Sequence, residues 1–324
     1  MDLLPTDDQS ELAAAVRALC EARFDVDSLR ELEGSGFDAG RWGDLAGMGV
    51  FAATLEESAG GAGLGAAEAV LVFEELGRAL VPGPVLWTQL AAGIVDGAAA
   101  GETVVGGLDL TGGAAGPHLV AHLDACDAVI GVAEDRVLRW DADAMRAVPL
   151  ADSLDPLTPV HHVEELPPGD EIGGAEAAGR MVADATVLTA AFEVGLATAV
   201  TDMASTYALD REQFGKPIGA FQAVKHILAD MVVRAEVARS AVYAAGATLD
   251  DPEAGDLDRI VHAAKICADL AADKNARACI QVHGGMGYTW EVPAHYFLKR
   301  AWVLEPLFGG IAEHADAVAA SLVS

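Results

Sequence analysis

The chain has 324 residues, with 20 Lys+Arg against 50 Asp+Glu, a formal net charge of -30 and 52% hydrophobic residues. That length holds one large domain, or two to three modest ones of about 100–200 residues each. The acidic excess excludes nucleic acid or an anionic membrane bound through a basic face, and the apolar content excludes a disordered chain.

The opening Met1 to Asp8 has neither a basic start nor an apolar run, so a cleaved leader is not expected. Residues 6 to about 100 read as helical, with Thr6 and Gln9 spaced as a capping box before Leu12-Ala13-Ala14-Ala15-Val16. Glycines 60, 61, 63 and 65 interrupt the pattern, and a second helix is expected from Ala66 to about Leu80. Its Val70, Phe73, Leu76 and Leu80 keep helical spacing, and Pro82-Gly83-Pro84 ends it. From about Gly101 to Pro168 the period shortens: Thr103-Val104-Val105, Leu119-Val120-Ala121, Ala128 to Val132 and Arg136 to Trp140 read as strands. A segment of this length has room for about five or six.

After residue 175 the chain returns to helix. The most apolar window, Val182 to Val200, carries Asp184 and Glu193 and reads as a buried helix rather than a bilayer span. Val224, Leu228, Met231, Ala235, Ala238 and Val242 form a narrow seam after Pro217, and Ile260, Ala264, Cys267 and Ala271 repeat the spacing. The expectation is a mainly α chain: a helical N-terminal domain (1–100), an abbreviated β middle domain (101–170) and an antiparallel four-helix bundle (171–324). Cys20, Cys126, Cys267 and Cys279 are scattered without a CxxC, which fits a reducing cytoplasm.

Two stretches place glycine and polar residues where a bundle has no need of them. In Arg211-Glu212-Gln213-Phe214-Gly215-Lys216-Pro217-Ile218, followed by Phe221-Gln222, a sharp corner can present a guanidinium to a phosphate. The same residues also suit an ordinary helix-helix turn with a cation at the helix C-terminus. In Gln281-Val282-His283-Gly284-Gly285-Met286-Gly287-Tyr288 the glycines can leave backbone N–H groups exposed as an anion-binding nest, or simply cap a helix. His161, His162, His226 and His283 make no HxxxH or HExxH pattern, so no metal site is expected.

Taken together, these motifs make the chain resemble the acyl-CoA dehydrogenase family of flavoproteins over nearly its whole length. The family's R-x-x-F-G-x-x-I…Q is matched by Arg211, Phe214, Gly215, Ile218 and Gln222. Its Q-x-x-G-G-x-G-Y is matched by Gln281, Gly284, Gly285, Gly287 and Tyr288. Leu55 to Gly65 and Phe73-Glu74-Glu75-Leu76-Gly77-Arg78 resemble the end of its N-terminal domain. The resemblance implies that Arg211, Gln213, Phe214 and Gln222, with Gln281, Val282, His283, Gly284 and Gly285, hold the pyrophosphate and adenosine half of an FAD across a subunit interface.

The same resemblance exposes departures. Oxidation of a thioester needs a carboxylate to take the α-proton. The family's Y-E-G-[TS] position falls on Leu307-Phe308-Gly309-Gly310, so Phe308 stands where the Glu belongs, and the alternative base position on the preceding long helix falls on Ala185. Asp184, turned about 100° from Ala185, and Glu305 are the nearest carboxylates and the candidates for a relocated base. The family's T-E-P-x-A-G-S strand is also missing between Gly101 and Pro168. The expected role is therefore a subunit of an α2β2 acyl-CoA dehydrogenase, resembling actinobacterial enzymes that act on steroid side-chain CoA esters. A paralogous partner would supply the base, the ring pocket and most of the acyl-CoA cleft, and an electron-transfer flavoprotein would accept the electrons. A self-sufficient homo-oligomer and a non-enzymatic assembly subunit are the competing expectations.

Overall fold

The computed structural model describes residues 4–113 and 115–323. The N-terminal region is α1 (Asp7–Arg23), α2 (Val26–Glu31), α3 (Ala39–Gly47), α4 (Ala66–Arg78) and α5 (Val85–Ala91). The Thr6 hydroxyl accepts from the Gln9 N–H at 3.3 Å and the Gln9 side chain accepts from the Thr6 N–H at 2.9 Å, closing the capping box. Val70, Phe73, Leu76 and Leu80 are all buried, as their spacing requires. The first turn of α4 is capped from far along the chain, where the Asp250 carboxylate accepts from the N–H groups of Ala66 and Ala67 at 2.7 and 2.9 Å.

The middle region holds β1 (Val105–Asp109), β2 (His118–Ala121), β3 (Ala128–Val132), β4 (Arg136–Asp141), β5 (Ala147–Pro149), β6 (Val160–Val163) and β7 (Asp170–Gly174). They form two small sheets, β1-β3-β4-β7 and β2-β6-β5, with β1 and β3 parallel and every other pair antiparallel. Leu108, Leu110, Val120, Val129, Trp140 and Val163 make their separate core. Three of the apolar runs overlie β2, β3 and β4, while Thr103-Val104-Val105 only leads into β1, whose strand begins at Val105 and runs on through Gly106-Gly107; β5 to β7 carry Pro149, His161-His162 and Asp170-Glu171 and owe their extended backbone to pairing rather than to their own composition.

The C-terminal region comprises α6 (Ala175–Asp210), a hairpin of β8 (Glu212–Gln213) and β9 (Lys216–Pro217), then α7 (Gln222–Asp250), α8 (Leu257–His283), α9 (Ala294–Leu304) and α10 (Ile311–Ser321). The apolar stretch of α6 is long enough to cross a membrane, yet most of it is buried against other helices. Gly77 on α4 and Gly195 on α6 let the two backbones touch: a Cβ at Gly77 would stand 1.9 Å from the Phe192 carbonyl oxygen, and one at Gly195 would stand 2.1 Å from that of Glu74.

The α8 face differs from the expected seam. Ile260 and Cys267 are only partly buried, and the buried face instead carries Lys265, Asp269 and Asn275. The Lys265 ammonium donates to Asp269, and to the carbonyls of Leu304 and Glu305 at 3.3 and 3.2 Å. Burial pushes the carboxyls of Glu193 and Asp269 above the usual carboxylate range, well above it for Glu193. The Asn275 amide donates to the Met231 carbonyl at 2.9 Å and to the Thr201 hydroxyl at 3.1 Å, tying α8 to α7 and α6.

Arg300 of α9 joins all three regions: its Nε donates to Asp155 at 2.5 Å and its Nη1 to the Val81 carbonyl at 3.1 Å. Asp155 also accepts from the Thr158 hydroxyl at 2.8 Å and the Leu157 N–H at 3.0 Å. Although burial alone would raise it, Arg300 and these hydrogen bonds hold the Asp155 carboxyl below its ordinary value.

Gly195→Ala should lower stability by about 1–3 kcal/mol despite alanine's better helix propensity, because the added methyl has backbone in its path. A urea midpoint unchanged or raised would contradict the close contact. Asp155→Ala should cost about 3–5 kcal/mol by stranding a buried guanidinium. For wild type, the contribution of Asp155 is present above the ordinary carboxylate pKa of about 4 and is lost as pH falls through the lower folded value. Comparing urea unfolding of the variant and wild type from neutral pH down to below about 4 checks both, since the difference between them should shrink only at the acid end.

Candidate cofactor-binding site

The two glycine-containing motifs lie at one end of the bundle because α6 and α8 finish side by side. In its last turn α6 places Tyr207, and α8 places His283; their rings stack with centroids 4.1 Å apart and planes 24° apart. The His283 Nδ1 is 2.8 Å from the Cys279 carbonyl oxygen, so Nδ1 carries the proton that makes this hydrogen bond. The Tyr207 carbonyl accepts from the Arg211 N–H at 2.8 Å, so the stack bears directly on the residue that ends α6.

Beyond Arg211 the chain makes the β8–β9 hairpin, turned through Phe214 (φ 53°) and Gly215 (φ 78°). The Ile218 N–H returns to the Arg211 carbonyl at 2.8 Å and closes the loop. Lys216 Nζ lies 4.4 Å from the centroid of Phe221, which meets Phe214 edge-on. Gln222 then opens α7. In the second motif, Gln281 is exposed on the last turn of α8, Gly284 has φ 60° and caps that helix through its N–H on the Gln281 carbonyl, and among the described residues nothing lies within 4 Å of a Cβ built on Gly284 or Gly285.

Arg211, Gln213, Phe214, Gln222, Gln281, Gly284 and Gly285 are all exposed. Val282 and His283, grouped with them from the sequence, are buried beneath the loop and shape it from below. In this acidic chain most guanidiniums are committed to carboxylates, as with Arg17 to Glu75, Arg78 to Asp202, Arg239 to Glu74 and Arg300 to Asp155. The Arg211 side chain has no such partner among the described residues. An uncommitted guanidinium beside an open glycine loop suits an anionic group with several oxygens, such as a diphosphate.

The positions read as empty of a base are also closed. Ala185 is fully buried. Phe308 is buried with φ 59° and packs on Trp87 at 5.4 Å between ring centroids, while its N–H donates to Asp109 Oδ2 at 2.7 Å. A left-handed phenylalanine is strained, and the carboxylate at the end of β1 helps to hold it. Trp87 lies flat against β1, where a Cβ at Gly107 would come within 1.9 Å of the indole. Nothing in the local sequence around Trp87 or Gly107 signals this contact, because it joins an N-terminal helix to a strand of another region.

Neither nearby carboxylate is free. Glu305 Oε1 accepts from the Ile311 N–H at 3.4 Å, a capping role. Asp184 receives Arg180 Nε on both oxygens at 3.0 Å. Burial raises the Asp184 carboxyl, and the residue lines a cleft of about 400 Å³ with Gln89, Met181, Leu188 and Asp250.

Comparison with known proteins follows this geometry. Residues 6–99 match the family model for the acyl-CoA dehydrogenase N-terminal domain, and residues 173–323 match that for the C-terminal domain. The acyl-CoA dehydrogenase IpdE2 of Mycolicibacterium smegmatis is 31% identical over 320 residues, covering 94% of this chain and 95% of that protein. FadE34 of Mycobacterium tuberculosis is 33% identical over 347 residues; the match takes in 94% of this chain but 46% of FadE34, so the chain spans about half the length of that relative. Among solved structures, the ChsE4-ChsE5 complex from Mycobacterium tuberculosis superposes with a TM-score of 0.87 at 26% identity, covering 100% of this chain and 99% of that one. The mainly α architecture with a small β region is the acyl-CoA dehydrogenase fold, and the chain belongs to the acyl-CoA dehydrogenase family.

Proposed function

We propose that this chain is one subunit of a heteromeric FAD-dependent acyl-CoA dehydrogenase, holding the diphosphate and adenosine half of the cofactor for a paralogous catalytic partner. The observation that carries the reading is the contrast between the two ends of the molecule. Arg211 stands uncommitted beside an open glycine loop, while both base positions are apolar and buried and Trp87 closes on Phe308. The residues fit the diphosphate half of FAD and not a ring held in this chain's own cleft.

FAD bound there supplies the acceptor for the β-hydride of an acyl thioester. This chain's part is binding and orientation. Arg211 would donate its fork of N–H groups to the diphosphate, the uncrowded backbone of Gly284 and Gly285 would let it approach although the Gly284 N–H itself caps α8 on the Gln281 carbonyl, and Gln213, Gln222 and Gln281 would fix the rest of the nucleotide. Removal of the α-proton falls to the partner, because Phe308 and Ala185 accept no proton. Beside the clamp, Leu209, Phe214, Tyr288 and Trp290 are exposed, as are Val232, Val233 and Val237 along α7, an apolar surface suited to cover by another subunit. A relative solved as a two-component complex supports the same reading. The four free cysteines support a reducing cytoplasm. A steroid side-chain CoA ester is the acyl group we assign to the complex, with an ordinary fatty acyl-CoA as the comparison substrate.

A second reading has one observation in its favour: Asp184 lines the 400 Å³ cleft with its carboxyl raised by burial, as a relocated base would need. Its two hydrogen bonds from Arg180 favour the charged form and weigh toward a structural pair.

Co-purification with the paralogous acyl-CoA dehydrogenase should give about one FAD per pair, with neither chain holding flavin alone. Arg211→Ala should weaken flavin retention by about 10- to 100-fold, and Arg211→Lys should restore only part of it, because a lysine cannot donate a planar fork. If this chain alone retains flavin and oxidises an acyl-CoA, the shared-site reading fails. Loss of that activity in Asp184→Asn would then establish the second reading.

A further inference from the structure

Behind Trp87 lies a cavity of about 90 Å³ where the three regions meet. Phe73, Leu86, Trp87, Phe192 and Leu307 supply apolar wall, and His122, Thr158, Thr189 and Arg300 supply polar groups from three different parts of the chain. Three of these carry a polar atom with no hydrogen-bond partner among the described residues: Arg300 Nη2, His122 Nδ1 and Thr189 Oγ1. All three residues are at least nine-tenths buried, at 5%, 5% and 2% exposure.

Leaving a buried polar group unpartnered is costly, and three such groups line this one cavity. Thr189 is the telling case. On the same helix Thr186, Thr198 and Thr201 each satisfy their hydroxyl on the carbonyl four residues earlier, and Thr189 does not.

Charge restricts what the cavity can take. Asp155 already neutralises Arg300, and His122 is neutral because burial and the neighbouring guanidinium push its titration down to about 3. An entering carboxylate would bring an uncompensated charge among apolar walls. A neutral oxygen acceptor adds none and can receive from Arg300 Nη2 and the Thr189 hydroxyl. The volume is below the roughly 150 Å³ that admits benzene and near that of about three waters, so the body of the ligand must be short.

We propose that this cavity is a binding site for a small neutral carbonyl compound with a short aliphatic body, such as a primary amide or a ketone. The carbonyl lies toward Arg300 and Thr189 and the aliphatic body against Trp87 and Leu307. The site is separate from the flavin clamp, and its test requires neither flavin nor a partner chain.

Acetamide, with four non-hydrogen atoms, is the probe that fits this volume, acetate its charged counterpart, and the full chain the protein. Saturating acetamide should raise Tm by about 2 °C, and saturation-transfer NMR should light its methyl resonance, while acetate does neither. Thr189→Val keeps the side-chain shape and removes the hydroxyl. It should bind acetamide about five- to tenfold more weakly while its ligand-free Tm is unchanged or higher. No response to acetamide, an equal response to acetate, or undiminished binding in Thr189→Val would overturn the proposal. The first of these outcomes would assign the cavity to ordered water.

Discussion

The guanidinium of Arg300 meets a carboxylate from the β region and a backbone carbonyl from the N-terminal region, and much of the arrangement around Trp87 and Phe308 depends on that meeting. A buried charge persists only where its partners are held in place, and Asp155 is held by Thr158 and Leu157 in the loop between two short strands. The node thus gives rigidity to a segment with little sheet of its own. It also fixes α9, and with it the turn that brings Phe308 onto Trp87.

The packed contact at Phe308 and the open end of the bundle follow from different physics. Around Phe308 the ring contact is apolar, and the left-handed backbone of Phe308 is steadied by Asp109. At the far end of the bundle the side chains are long, polar and exposed, and the backbone is shaped by glycine and by one left-handed phenylalanine. The Tyr207 and His283 stack links the two halves of that end, so both motifs are positioned by the helices that precede them rather than by each other. A site arranged in this way can be preformed on one chain and completed by another.

Close helix packing carries its own requirement. Where Gly77 and Gly195 bring α4 and α6 into backbone contact, no side chains remain to fill the space, and the neighbouring helices interlock by buried polar groups instead. Glu74 receives Arg239 and Tyr243, Glu75 receives Arg17, and Asn275 spans three helices. These groups specify one alignment of the helices, since sliding any of them would leave a buried charge or amide unsatisfied.

Helical spacing and glycine and proline punctuation determined by themselves that the chain is mainly α with a short β insert, because local periodicity reports which residues face a core. Capping at Thr6 and Gln9 was legible for the same reason, as its partners are three residues apart. The two glycine-containing motifs were legible as order and spacing, and Phe308 and Ala185 as apolar residues. What only the tertiary structure decided involves partners far apart in the chain. Strands β5 to β7 form because neighbours pair with them. The polar face of α8 is buried because Glu193, Leu304 and Glu305 are there to receive Lys265. Trp87 reaches Phe308 because Gly107 makes room for its indole. The cavity beside Arg300 exists only where helix, strand and loop from three regions converge, and no local pattern encodes such a convergence.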